Sequence, residues 1–352
     1  MKLTVNRVLP VVSPLVAIGA ALAVGAGLIA IAGVNPAKAY SILFSEALLN
    51  YYGFGNTLTK MAPLLLTSLG VLVALKAGQF NIGGEGQIYM GGLGSVLMGL
   101  FFQGLPALIH VPLALAGGFL LGALWGFIPG YLKAVRGVNE VITTLLLNYI
   151  AQYWVSYLVS GVLMERNAPS PFTPPIAPSA QLPILLPQTQ THAGILIGLL
   201  SALVLWIAFA FTPFGYQVEV VGQNPTAARY AGIPVRRTII SAMAIAGGLA
   251  GLAGAGEVLG LRYRLFENFS PGYGFDAIAI AILSRGNWAG VVLISLFFGA
   301  LRSGANVMQR SAGVPVTVVY AIQGLTVLFI AISLVLEQRF NQKYLPQVQS
   351  VS

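Results

Sequence analysis

The chain has no cysteine, two histidines in 352 residues and only 8% charged side chains. Without cysteine there are no disulfides and no thiolate metal sites. His110 and His192 lie far apart at the ends of apolar runs, so no HExxH pair or histidine-centred metal cluster can be assembled, and no metal or cofactor is expected. No GxxxxGK[ST] sequence occurs, which excludes nucleotide binding by a Walker loop. The glycine runs lack the strand-then-helix setting of a dinucleotide fold, and GLAGLAGAG at 248–256 reads as close helix packing. No catalytic set can be put together from what remains. Ordinary soluble domains are roughly a quarter charged, so this composition leaves no room for a soluble domain of normal size.

What is present is apolar: 57% of the residues are hydrophobic and 42 are glycine. The expected fold is therefore an all-α polytopic membrane protein, residues 1–352 forming a single membrane domain. At about 20 residues per span, about ten transmembrane helices fit, with broken or half helices among them. Apolar runs place the spans near 8–33, 57–76, 85–104, 112–132, 138–161, 193–212, 238–260, 274–284, 288–304 and 314–337. The eighth is too short to cross as a simple helix and reads as a half-helix or part of a longer tilted segment. Lys2 and Arg7 before an apolar run resemble a signal sequence, but Val8–Val34 is longer than a signal core and reads as a retained first span. The net charge is +9, yet the basic residues are scattered singly at the edges of apolar runs, which fits orientation in membrane lipid and not nucleic-acid binding. With the amino terminus inside, eleven basic residues (Lys2, Arg7, Lys76, Lys133, Arg136, Arg229, Arg236, Arg237, Arg285, Arg339 and Lys343) fall on inner segments and seven (Lys38, Lys60, Arg166, Arg262, Arg264, Arg302 and Arg310) on outer ones, a modest bias. The proline-rich stretch 164–191 is then outside, as an extended lid or a linker.

Two polar interruptions stand out. At 212–238, Asn224 is a helix N-cap, Pro225 takes the first helical position, and Gly232 before Ile233-Pro234 is a stop. A helix of two turns is marginal alone, so it must dock against something. Ala227, Ala228 and Ala231 give it a small face, and Arg229 and Tyr230 larger contacts. At 76–92, KAGQFNIGGEGQIYMGG breaks an apolar pattern with Asn81, Glu85 and Gln87, and polar groups at membrane depth must face protein or water. The segment reads either as a broken helix beside a transport pathway or as a polar turn with Glu85 capping the third span. Asn148, Tyr149 and Gln323, deep in apolar runs, join Asn81, Glu85 and Gln87 as candidate pathway residues. Glu140, Glu257, Asp276, Arg302 and Asn306 read equally as helix-end groups. Glu85, Glu257 and Asp276 would be the relay of an ion-coupled transporter, a second reading that needs no partner.

FGYQVEVVGQNPTAARYAGIPVRR, AGQFNIGGEGQIYMGG, GVNEVITTLLLNYIA at 137–151 and SPGYGFDAIAIAILSRGNWAG at 270–290 together resemble the permease subunits of ABC importers in the branched-chain amino acid and monosaccharide permease superfamily. NIGGEGQ with NEVITTLLLNYIA is most similar to the nucleoside (guanosine-type) uptake permeases, the longer of their two permease subunits. Sugar permeases of the superfamily carry an acidic DLSVG-like sequence where this chain has FNIGGEG. The resemblance covers about 57–338. It implies a bacterial inner-membrane protein with both termini cytoplasmic, paired with a second permease, resting on cytoplasmic ABC ATPase subunits and supplied by an extracytoplasmic substrate-binding lipoprotein. Asn224, Pro225, Ala227, Ala228, Arg229, Tyr230 and Gly232 would then form the coupling helix. Hydrolysis would belong to the partners, so the chain is not expected to be an enzyme.

Overall fold

Apolar runs interrupted by glycine and proline become helices of unequal length. The computed structural model describes residues 2–315, 317–326, 328–329 and 332–333, with side chains from Val16 onward. In chain order the helices are α1 (Lys2–Ile31), α2 (Pro36–Phe44), α3 (Tyr51–Lys76), α4 (Gly84–Phe101), α5 (Ala107–Arg136), α6 (Glu140–Ser160), α7 (Gly194–Phe211), α8 (Pro213–Gln223), α9 (Pro225–Tyr230), α10 (Val235–Gly256), α11 (Tyr273–Leu283) and α12 (Trp288–Ala312). A further helical stretch lies at 317–326. Among the described residues there is no strand, only the isolated bridges Phe172–Phe266 and Ile184–His192.

The chain forms two compact units, one from the residues up to Phe54 and from Ala300 onward, the other Gly55–Gly299. In the first, α1 ends near Gly33 (φ 79°), and the Asn35 side chain caps α2 by accepting from the amides of Ala37 and Lys38. The segment 34–56, which the sequence reading left between spans, is thus largely helical. α2 runs into a π-helical turn, Ser45–Leu49, and Val16–Ile31 and Pro36–Leu49 are bent by 119° into a broken span or re-entrant pair. Tyr40 donates its hydroxyl hydrogen to the Leu22 carbonyl at 2.6 Å, tying the two limbs.

In the second unit the centre is a three-helix contact of α4, α5 and α10. Gly118, Gly122 and Gly126 recur every fourth residue, on one face of α5, and lie against the backbone of α10 at Gly251, Gly247 and Met243. A Cβ on Gly122 would stand 2.7 Å from the Gly251 Cα. Lipid provides no hydrophobic drive between helices, so association rests on such close contact.

Among the described residues, five helices are long and apolar enough to cross a membrane: α3, α5, α7, α10 with its π-helical continuation to Arg262, and α12, with a sixth if the bent pair is one span. α4 and α6 occupy the expected third and fifth runs. Most of α4 is buried in protein, which is why it tolerates Glu85, Gln87 and six glycines. α11, only 11 residues long and begun at Gly272 (φ 88°), is the short eighth segment. The tenth run, 314–337, lies partly outside the described residues. The polar interruption 212–238, expected to hold one short helix, holds two, for Pro213–Gln223 is also helical, with Pro213 at its first position and Val218 and Val221 buried.

Gly251→Ala should press a methyl into the Gly118 carbonyl of α5 and, by overpacking, destabilise the protein by about 1–3 kcal/mol. Thermal unfolding in detergent checks this, with Gly19→Ala, whose Cβ meets nothing within 4 Å, expected to leave the transition in place.

Candidate functional site

α3 stops in a Schellman motif: Gly78 (φ 71°) donates to Leu75 O at 2.9 Å, and Gln79 N to Ala74 O at 2.9 Å. Residues 77–83 then run non-helically and partly buried, and their backbone groups need partners. Side chains supply them. The Asn81 Oδ1 accepts from Gly83 N at 2.9 Å, and its Nδ2 donates to Gln87 Oε1 at 3.1 Å. From α6, Asn148 donates to Ile82 O at 2.9 Å and accepts from Gly86 N at 2.8 Å, while Thr144 Oγ1 accepts from Ile82 N at 3.3 Å. The Glu85 carboxylate, in the first turn of α4, accepts from Gly274 N in the first turn of α11 at 2.7 Å. It therefore sits where two helix N-termini meet, and both dipoles favour its charge. Gly274 permits this, because a Cβ there would collide with the Glu85 backbone.

Four of the six candidate pathway residues, Asn81, Glu85, Gln87 and Asn148, are thus brought together, each no more than 2% exposed. The helix is broken here, and Glu85 does not cap the third span, whose N-cap Gly83 makes no side-chain capping bond; its carboxylate accepts from the first turn of α11 instead. Tyr149 is not in this knot; it points outward from α6, half-exposed. Gln323 belongs to the first unit, buried, with no hydrogen-bond partner for its Nε2 among the described residues. Thr144 went unnoticed in the sequence, although its spacing of four from Asn148 puts the two on one helix face. Glu140 pairs with Lys133 at 2.8 Å, the helix-end role. His110 is satisfied by Ser179 Oγ at 2.8 Å and Met98 O at 3.1 Å. Burial, and secondarily the charge of Lys60, pushes the His192 pKa down to about 4, so it stays neutral at physiological pH.

The two ends of this unit differ. At one, stretch 164–192 is non-helical apart from the turn Pro178–Ala180, and it is not loose: Thr173 N, Ile176 N and Leu182 N donate to the carbonyls of Leu265, Tyr263 and Leu259, and Arg264 pairs with Glu165 at 2.9 Å. It is a docked cap.

At the other end lies α9. The Asn224 Oδ1 accepts from Thr226 N and Ala227 N, both at 3.0 Å, and Pro225 holds the first position. Gly232 (φ 77°) donates to Arg229 O at 3.1 Å and Ile233 N to Ala228 O at 3.0 Å, a second Schellman motif. Ala228 does not stand on the outward face as the small-face reading had it. It is fully buried against Val221, Val235 and Ile239, with Ala134 of α5 and Ile233 beside them. A six-residue helix has too few internal bonds to persist alone, and this methyl is its anchor. Ala227, Arg229, Ala231 and Tyr230 are exposed, Tyr230 to 90%. Below, α8 is fastened to the end of α3 by Lys76–Glu219 at 2.6 Å.

The sequence that builds this arrangement matches a known family. Residues 53–331 match the family described as branched-chain amino acid transport system / permease component. The chain belongs to that permease family. It is 39% identical to the guanosine ABC transporter permease protein NupP of Bacillus subtilis, over 94% of this chain and 95% of the relative. It is 35% identical to the nucleoside ABC transporter permease protein NupB of Lactococcus lactis subsp. cremoris (94% and 93% covered). It is also 35% identical to the glucose ABC transporter permease protein TsgB13 of Haloferax volcanii (91% and 87% covered). No solved structure matches. The permease is a multi-pass membrane protein of ABC transport.

Asn148→Ala leaves Gly86 N–H and Ile82 C=O without their partner, and an unsatisfied buried group costs about 1–3 kcal/mol. The expected outcome is a lower unfolding temperature and reduced folded yield in detergent, with Tyr149→Ala on the exposed side close to the parent.

Proposed function

We propose that this permease forms the membrane passage of an ATP-driven importer of nucleosides in the bacterial inner membrane. The substrate class rests on one observation: two relatives whose names specify guanosine or nucleoside align over almost the whole chain, at 39% and 35% identity. The FNIGGEG sequence also stands where sugar permeases of the superfamily carry a DLSVG-like one. The chain pairs with a second, different permease, receives substrate from an extracytoplasmic binding lipoprotein and rests on separate ABC ATPase subunits. Residues 1–352 act as one permease domain.

On this reading the end bearing α9 is cytoplasmic, as are both termini. Lys76, Lys133, Arg136, Arg229, Arg236 and Arg237 fall on the helix ends and loops around α9, in keeping with the bias of basic residues toward the cytoplasm. α9 is the coupling helix: Ala227, Arg229 and Tyr230 meet the ATPase, Asn224, Pro225 and Gly232 hold its shape, and Ala228 seats it on α8, α10 and α5. ATP-driven closure of the ATPases moves α9, and with it the spans, between outward- and inward-open states. Asn81, Glu85, Gln87 and Asn148 border the passage at the helix break, with Tyr149 and Gln323 as further pathway groups. A relay through Glu85 is not favoured, because its carboxylate is committed to the amide of Gly274.

Uptake of labelled guanosine and glucose by cells carrying the permease with its ATPase, second permease and binding protein tests this. Guanosine uptake that ceases on ATP depletion is the expected result; uptake by this chain alone, or of glucose only, contradicts it. Within that system Gly232→Leu, forced into a left-handed conformation costing about 1 kcal/mol, should lower uptake per ATP hydrolysed while the amount of protein in the membrane holds.

A further inference from the structure

The polar side chains at the helix break are committed, with one exception. Asn81, Gln87 and Asn148 bond to the loop, to α4 or to one another, and Glu85 accepts from α11. Gln79 does not follow them. It is 6% exposed, its Nε2 donates to the Ala77 carbonyl two residues back at 3.2 Å, and its Oε1 has no hydrogen-bond partner among the described residues. The bond to Ala77 also sets the amide's orientation, since flipping it would bring two carbonyl oxygens together. The atom left over is therefore an acceptor.

A second unpaired atom lies at the far end of the same stretch. Helical hydroxyls in this protein bond back one turn: Thr59 to Gly55 O at 2.9 Å, Ser68 to Leu64 O at 2.6 Å and Thr144 to Glu140 O at 2.7 Å. Thr67, beside Ser68 on α3, is fully buried, yet its Oγ1 bonds to nothing among the described residues. Its methyl lies against the start of α4, 3.1 Å from where a Cβ on Gly84 would stand. Residues 78–84 thus begin beside one unpaired polar atom and end beside another.

An unsatisfied buried group costs about 1–3 kcal/mol. Packing does not account for it here, because Met and Val would fill the same space without that cost. Both groups are uncharged, and the charged side chains beside them are taken, Glu85 by Gly274 N and Lys76 by Glu219. The partner that fits is an uncharged solute carrying N–H or O–H donors, as nucleosides and sugars both do.

We infer that Gln79 Oε1 and Thr67 Oγ1 are the hydrogen-bonding stations for the solute along the broken segment between α3 and α4, each accepting from an N–H or O–H of an uncharged solute as the passage opens. The committed side chains around them hold the segment's shape. That the solute meets this segment rests on the transport reading, and the two stations deepen it.

Gln79→Met and Thr67→Val remove the unpaired atoms and keep the side-chain shape. Each is introduced singly into the assembled transporter, and three quantities are read: the unfolding temperature in detergent, ATP hydrolysis, and uptake of labelled guanosine and of glucose. An unpaired atom gives the protein itself no bond, so the unfolding temperature should hold or rise and hydrolysis should continue. Uptake should fall roughly three- to ten-fold, the worth of one uncharged hydrogen bond. A purely structural polar group would behave in the opposite way. A lowered unfolding temperature would mean that a fixed water already satisfies that atom, and unchanged uptake would mean that no solute uses it; either result overturns its assignment. A transporter that takes up glucose and not guanosine, and loses glucose uptake in these variants, would keep the stations and overturn the nucleoside reading.

Discussion

Every helix that stops in a buried interior leaves amides and carbonyls that need partners. The second unit depends on how that requirement is met between α3 and α4. Asn81 folds back on its own loop, Asn148 and Thr144 reach across from α6, and Glu85 reaches across to α11. Because the partners come from other helices, the break is also what ties α4, α6 and α11 together. Removing one amide would leave both a donor and an acceptor stranded, which is why these residues are buried and fully engaged rather than open to a channel in this conformation.

Glycine meets the complementary need. Polar fastening works only if backbones come close, and the α5–α10 seam and the Gly274–Glu85 contact bring them to distances no side chain would allow. The unit is fastened internally and thus suited to moving as a body. In the proposed cycle the handle is α9, joined to α8, α10 and the end of α5 through the buried methyl of Ala228, while Lys76–Glu219 links α8 to α3. A push on Tyr230 is received by helices that lead directly into the seam.

The parts legible in the sequence were those written in local code. The Asn224 cap, Pro225 and the Gly232 stop each have a fixed conformational meaning over a few residues, and the Gly272 break before α11 does too. Distant pairing was invisible: nothing local connects Glu85 to Gly274, 189 positions apart. Direction was lost for the same reason. Asn148 and Tyr149 are neighbours in sequence, yet one is buried and the other exposed, and Ala228 looked equivalent to Ala227 until packing separated them. α8 was missed because Gln217 and Glu219 gave it a loop's polarity, although Pro213 marks a helix start. The polar start of α4 was legible, but the burial of most of the helix in protein was not, since hydropathy does not tell burial in protein from burial in lipid.

The central claim is that α9 offers one face to an ATPase and the other to its own bundle. Single cysteines at Tyr230 and Ala228, in the otherwise cysteine-free chain, can be cross-linked to the ATPase subunits in the assembled transporter with a short thiol-to-amine reagent. The account predicts a cross-linked product from Tyr230→Cys and none from Ala228→Cys. Equal cross-linking from both, or none from Tyr230→Cys, would contradict it.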